Sequence, residues 1–203
     1  MTDYNNIELK LYHDCLFEIK KRIDVIAEYL NGERKEYQIV RVEIICLQFR
    51  KILEKIALMS LVANKEAYAE NNEKFAKHYH AERIIRDLER INPNFYPVPI
   101  ERTLIKDDLY DLKEITDGFL TKDEFVKVYE KCGAMMHAHN PFSDMRQLNY
   151  YEKNFHEWLT KIHNLVSHHK IQLIGGKAMV VGILIRSDNG LPQALIFEQI
   201  DND

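Results

Sequence analysis

The strongest constraint in this sequence is a set of apolar stripes that recur with the period of an α-helix. From Asn6 to Leu30, apolar side chains stand three or four positions apart, at Leu11, Cys15, Leu16, Ile19, Ile23 and Ile26. This spacing places them on one face of a helix, and Asn31-Gly32 supplies a stop signal. A second and wider stripe, from about Tyr37 to Asn64, predicts the central helix of a bundle.

Three more segments show the same period. They are about Asn72–Ile91, Thr121–Asn140 and a last long segment from Ser143 to Val166. Thr121 and Glu124 form a capping-box signature at the start of the fourth helix. The proline-rich stretch 92–100 is expected to be an extended strap over the bundle, and 101–118 a surface excursion that contains a short helix.

The period changes after the last helix. Three short runs, Lys170–Ile174, Met179–Arg186 and Gln193–Gln199, are rich in β-forming residues and are separated by turn sequences. We therefore predict a mainly α (α+β) fold in one domain, 1–203. It consists of about five long helices in a bundle (6–167) and a C-terminal three-stranded antiparallel β-meander (170–199), packed on the bundle or on a second subunit.

Composition excludes several classes of protein. Apolar residues make up 46% of the chain, which is enough for a core without staples, and the formal charge of −4 gives no global attraction to nucleic acid or an anionic membrane. The cysteines, Cys15, Cys46 and Cys132, lack the spacing of a disulfide framework or zinc site. We expect buried thiols, no cofactor, no bound metal and no membrane partner. Without a secretory signal or transmembrane segment, we expect a cytoplasmic location.

The most unusual local sequence runs from Glu130 to Phe142. In a continuous helix, Glu130, Gly133 and His137 share one face. His137 could serve as a general acid or base near neutral pH, oriented by Glu130. Gly133 is unfavourable within a helix, which indicates that another backbone or a ligand approaches closely there, unless it only permits tight helix packing.

Two histidine clusters raise a metal hypothesis. His78 and His80 lie near Glu82, and His163, His168 and His169 lie close together in the sequence. Residues two apart on a helix point in different directions, so solvated polar faces are the alternative. Basic residues such as Arg50 and those of the third helix could instead converge beside His137 and hold a phosphate backbone.

The helical part, Asn6 to Ser167, with a polar histidine at the end of a late helix, resembles the HEPN superfamily of prokaryotic nucleotide-associated helical domains. Many of its members are ribonucleases of toxin–antitoxin and antiphage systems. The resemblance implies a helical domain in which an arginine shortly before a histidine contributes to RNA cleavage. Here Lys131 stands at that position before His137, and lysine lacks the planar bidentate contact that arginine makes with phosphate.

Three functions follow from these patterns. The first is a non-enzymatic interaction or regulatory domain, oligomeric, that binds itself or another protein. The second is a metal-independent ribonuclease with RNA as its partner: His137 performs acid–base chemistry, Glu130 orients it, Lys131 or an arginine from another helix binds phosphate, and Asn140 positions substrate. The third is a histidine-based, metal-dependent hydrolase.

Overall fold

The structure of the chain is a computed structural model that describes residues 6–65, 81–107, 109–138, 142 and 147–200. Two long helices, α1 (Asn6–Leu30) and α2 (Gln38–Ala63), pack side by side. Their apolar stripes meet in a core where Leu16, Phe49 and Leu53 are fully buried. None of the described helices combines the length and the apolar character required to cross a membrane.

Three shorter helices also lie within the described residues: α3 (Ala81–Ile91), α4 (Lys122–Ala134) and α5 (Leu148–Ser167). The predicted capping box is present at α4, where the Thr121 hydroxyl accepts from the Glu124 amide and the Glu124 carboxylate accepts from the Thr121 amide. The third helix was expected from Asn72, but residues 72–80 lie outside the described residues, as does Ser143. Helix α4 ends at Ala134, earlier than the expected Asn140.

The prediction of a helical bundle with a three-stranded meander is wrong. The strands form one five-stranded antiparallel sheet in the order β2-β1-β3-β4-β5. Their bounds are β1 Val98–Lys106, β2 Leu109–Glu114, β3 His168–Gln172, β4 Ala178–Ile183 and β5 Gln193–Glu198. The last three are the expected meander, and the first two come from the segments predicted as a strap and a helical excursion.

The hairpin β1–β2 explains this error. Its register pairs Arg102 with Leu112 and Leu104 with Tyr110, and the turn between the strands contains Asp107 at φ 32°. The apolar residues of β2 alternate with charged ones, which is the pattern of a strand with one solvated face. The many acidic residues had favoured a surface helix over that pattern.

The sheet curls into a half-barrel. The rings of Tyr110 on β2 and Phe197 on β5 lie 5.6 Å apart between centroids, although these strands occupy opposite edges of the sheet. Inside the curl, Ile100, Met179 and Val181 form a small buried cluster. The other face of the sheet packs on the helices, so β4 is buried at every position.

A polar contact is enclosed where the sheet meets α1. The Tyr12 hydroxyl and His169 Nε2 lie 2.7 Å apart, and both side chains are fully buried. His169 Nδ1 lies 3.1 Å from the Val166 carbonyl oxygen, which can only accept, so the proton is on Nδ1 and Nε2 accepts from Tyr12. A Cβ added at Gly182 would lie 2.4 Å from His169 Cε1, so this glycine makes room for the imidazole.

Candidate functional site

Helix α4 carries two of the residues predicted to form a site. Glu130 and Lys131 are both exposed near its C-terminus. His137 follows the end of the helix and is exposed, and Asn140 lies outside the described residues. Glu130 and His137 therefore do not share one face of a helix, because such a face requires a helix that continues beyond Ala134.

A groove of about 200 Å³ lies between α4 and α5. We call it the α4–α5 groove. Its apolar lining is Leu120, Val128, Tyr150 and Trp158. Leu120 is fully buried and Trp158 is 7% exposed, whereas Tyr150 is 39% exposed at the rim. The groove thus has a rigid apolar floor and one accessible aromatic ring.

The charged side chains that line the groove differ in whether they form ion pairs. Lys161 Nζ lies 2.6 Å from Glu124 Oε1 and 2.7 Å from Glu157 Oε1, so one ammonium is shared by two carboxylates. Lys127 and Lys131 make no ion pair within the described part of the chain. They stand one helical turn apart on the same side of α4. With three lysines and two glutamates, the charged lining of the groove has a net charge of +1.

Local contacts hold the groove in shape. The capping box fixes the start of α4, and Glu124 also receives the hydrogen bond from Lys161 on α5. At the other end, the Tyr151 hydroxyl donates to the Lys131 carbonyl oxygen at 3.1 Å. The Lys131 ammonium lies 5.5 Å from the centroid of the Tyr150 ring, within the range of a cation–π contact.

The opposite side of α4 holds an arginine instead of a ligand. Arg50 on α2 lies against Gly133, where a Cβ would come within 2.5 Å of its Nη1. Its Nη2 donates a 2.7 Å hydrogen bond to the Tyr129 hydroxyl, and its Cζ lies 4.1 Å from the Tyr129 ring centroid. Glu54 Oε1 is 3.3 Å from Arg50 Nε. Gly133 therefore admits a guanidinium group between two helices.

The cysteines are free and buried. The hydrogen bond that the Cys132 thiol makes with Cys46, together with burial, raises the pKa of Cys132 well above its ordinary value. Because the thiolate is the reactive form, this environment makes a nucleophilic role unfavourable.

His163, His168 and His169 do not converge on a metal site. His169 is bonded to Tyr12, and His163 Nδ1 lies 3.1 Å from the Ser167 hydroxyl. Within the part of the chain that the structure describes, no group of three or more potential ligands could hold a metal ion. His78 and His80 lie outside that part.

The sequence interpretation did not identify the α4–α5 groove. Its signals were the lysines one turn apart on α4 and the aromatic residues of α5, but each pattern alone also fits an ordinary solvated or core face. Only the packing of α4 on α5 brings them together.

Comparison of the chain with protein-family models, curated proteins and solved structures gives no match.

Proposed function

We propose that this protein is a non-enzymatic interaction domain that binds an acidic segment of a partner protein in the α4–α5 groove. The observation that carries the proposal is a pair of lysines, Lys127 and Lys131, that form no ion pair within the described residues and lie beside an apolar floor. Opposite charge steers a partner to such a surface, and an enclosed apolar anchor supplies affinity.

The shape of the groove favours a peptide with an apolar anchor. A volume of about 200 Å³ can receive one large apolar side chain against Trp158. Carboxylates on either side of that anchor would then approach Lys127 and Lys131. Single-stranded RNA is less well matched, because it requires successive stacking rings along a basic track, and Tyr150 is the one ring exposed at this groove.

Reversing the charge of both lysines should weaken this recognition. In fluorescence anisotropy, a labelled peptide of glutamates with leucine and phenylalanine anchors should bind the Lys127→Glu/Lys131→Glu protein about tenfold or more weakly than wild type. The reason is that two attractive contacts become repulsive. Exposed Lys177, in the β3–β4 turn, provides the matched control as Lys177→Glu, which should bind normally.

Two additional probes distinguish recognition of an acidic peptide from binding that does not need its charge and from binding of RNA. The same peptide with glutamine in place of glutamate tests the charge requirement, and an unstructured oligoribonucleotide tests RNA. Equal affinity of the wild-type and double-variant proteins for the acidic peptide would contradict the proposal. Tighter binding of the RNA than of the peptide, lost in the same variant, would identify RNA as the partner.

A second candidate function is RNA cleavage. One observation favours it: Arg50 lies against Gly133, one helical turn before His137 in sequence. An arginine from another helix could thus serve where Lys131 replaces the arginine of the HEPN pattern. Arg50 is also bonded to Tyr129 and Glu54, so binding phosphate would require it to exchange these partners.

If that function is present, purified protein should degrade mixed single-stranded and structured RNA equally with and without EDTA. His137→Ala should lower the rate by at least about a hundredfold, the usual loss when a general acid or base is removed. His156→Ala, at another exposed histidine, is the matched control, and circular dichroism checks folding of each protein. Absence of RNA cleavage by the folded wild-type protein would exclude this candidate.

A further inference from the structure

Within the described residues, the two edge strands of the sheet differ in exposure. Strand β5 forms one edge and packs against α1, and its first five residues are all partly buried. Strand β2 forms the other edge, pairs only with β1 among the described strands, and exposes Leu109, Asp111 and Lys113. An unpaired edge presents free amides and carbonyls to a further strand.

The residues along this edge are complementary to themselves. We propose that β2 pairs antiparallel with β2 of a second copy of this chain, about a two-fold axis through Leu112. Residues directly opposite one another in such a pair share a face and bring their Cβ atoms to about 5 Å. Asp111 then faces Lys113 of the second copy, and Leu109 faces Ile115.

These contacts use side chains that are exposed, or have no ion pair, within the described residues. Asp111 and Lys113 make no ion pair within the described residues, and the two-fold axis gives each of them an opposite charge. Leu109 and Ile115 are 41% and 37% exposed, and each covers the other. Leu112 meets its own copy at the centre, which is the isologous arrangement of a two-fold dimer.

The alternative registers are unfavourable. Residues that face each other across a continuous sheet point to the same side of it. Because residues along a strand alternate between sides, an odd-numbered residue of one copy must face an odd-numbered residue of the other, so the register changes in steps of two. The neighbouring registers centre on Asp111 or Lys113 and place like charges directly opposite, which destabilises a strand pair. The register through Leu112 avoids both repulsions. This inference stands whether or not the α4–α5 groove binds a peptide.

Two variants that each carry a single sign of charge on the β2 edge test whether β2 pairs with β2 of a second copy. Asp111→Lys leaves two lysines on the edge, and Lys113→Asp leaves two aspartates, so each variant should repel its own copy. Sedimentation should show a concentration-dependent dimer for wild type, weakened by high salt, and a dimer on the order of tenfold or more weaker for each variant. Mixing the two variants should restore the dimer, because every facing pair is then opposite in charge.

Restoration in the mixture separates an edge contact from a folding defect. Lys113 also lies opposite Glu101 on β1, so circular dichroism must confirm that Lys113→Asp keeps the fold. A wild-type protein that stays monomeric at all concentrations would overturn the inference. Variants that dimerise as tightly as wild type, or a mixture that stays monomeric, would do so as well.

Discussion

Replacing Gly182 with alanine is expected to lower the free energy of unfolding by about 3 kcal/mol. The added methyl would lie 2.4 Å from Cε1 and 2.6 Å from Nε2 of His169, inside a fully buried site. The imidazole must move, and its hydrogen bond with the Tyr12 hydroxyl is then broken without access to water. Urea denaturation of wild type and variant measures the loss.

The same substitution in a second variant tests whether the clash with His169 causes the loss of stability. In a His169→Ala protein the imidazole is absent, so Gly182→Ala should cost much less there than in wild type. The remaining neighbour, Tyr12 Cε1, stands at 3.2 Å and needs to yield by only a few tenths of an ångström. An equal cost in both backgrounds would show that the glycine is required for another reason.

Acid should also destabilise the fold through His169. Burial, followed by the neighbouring charge of His168, lowers the pKa of His169 from 6.5 to about 4, partly opposed by its bond to Val166. The unfolded chain therefore binds the proton more readily than the native protein. Stability from the neutral imidazole is complete above pH 6.5 and falls as the pH drops towards 4, by roughly 3 kcal/mol.

Urea titrations across this pH range test the expectation. His169→Gln carries no titrating group at this position, so its stability should fall less between pH 6.5 and 4 than that of wild type. The comparison uses the slope against pH, because the variant can differ in absolute stability. Parallel slopes for the two proteins would show that other groups cause the acid sensitivity.

The helices were predictable because their signals are local. The apolar stripe of α1 and the capping box of α4 each lie within a few turns of chain, and both correspond to observed helices. The hairpin β1–β2 was missed because Ile100 and Leu112 are covered by strands that come much later in the sequence. Such pairing depends on tertiary context more than on local propensity.

In the candidate site, too, local features could be predicted from the sequence, whereas contacts between helices could not. Gly133 was expected to admit a backbone, a ligand or tight helix packing, but the group that approaches is the Arg50 side chain from α2, which no local pattern specifies. The predicted face of Glu130 and His137 failed because α4 ends at Ala134, and helix ends are less predictable than helices. The groove depends on contacts between α4 and α5, so neither helix alone could reveal it.

The emission of Trp158 is the most direct test of the proposed interaction. It is the single tryptophan of the chain and lies in the floor of the α4–α5 groove, so its fluorescence reports occupancy there. Titration with the acidic peptide should change this emission in a saturable manner, with the same affinity as the anisotropy measurement, and Lys127→Glu/Lys131→Glu should weaken that affinity about tenfold or more. Peptide binding that leaves Trp158 emission unaltered would place the interaction elsewhere and contradict the account.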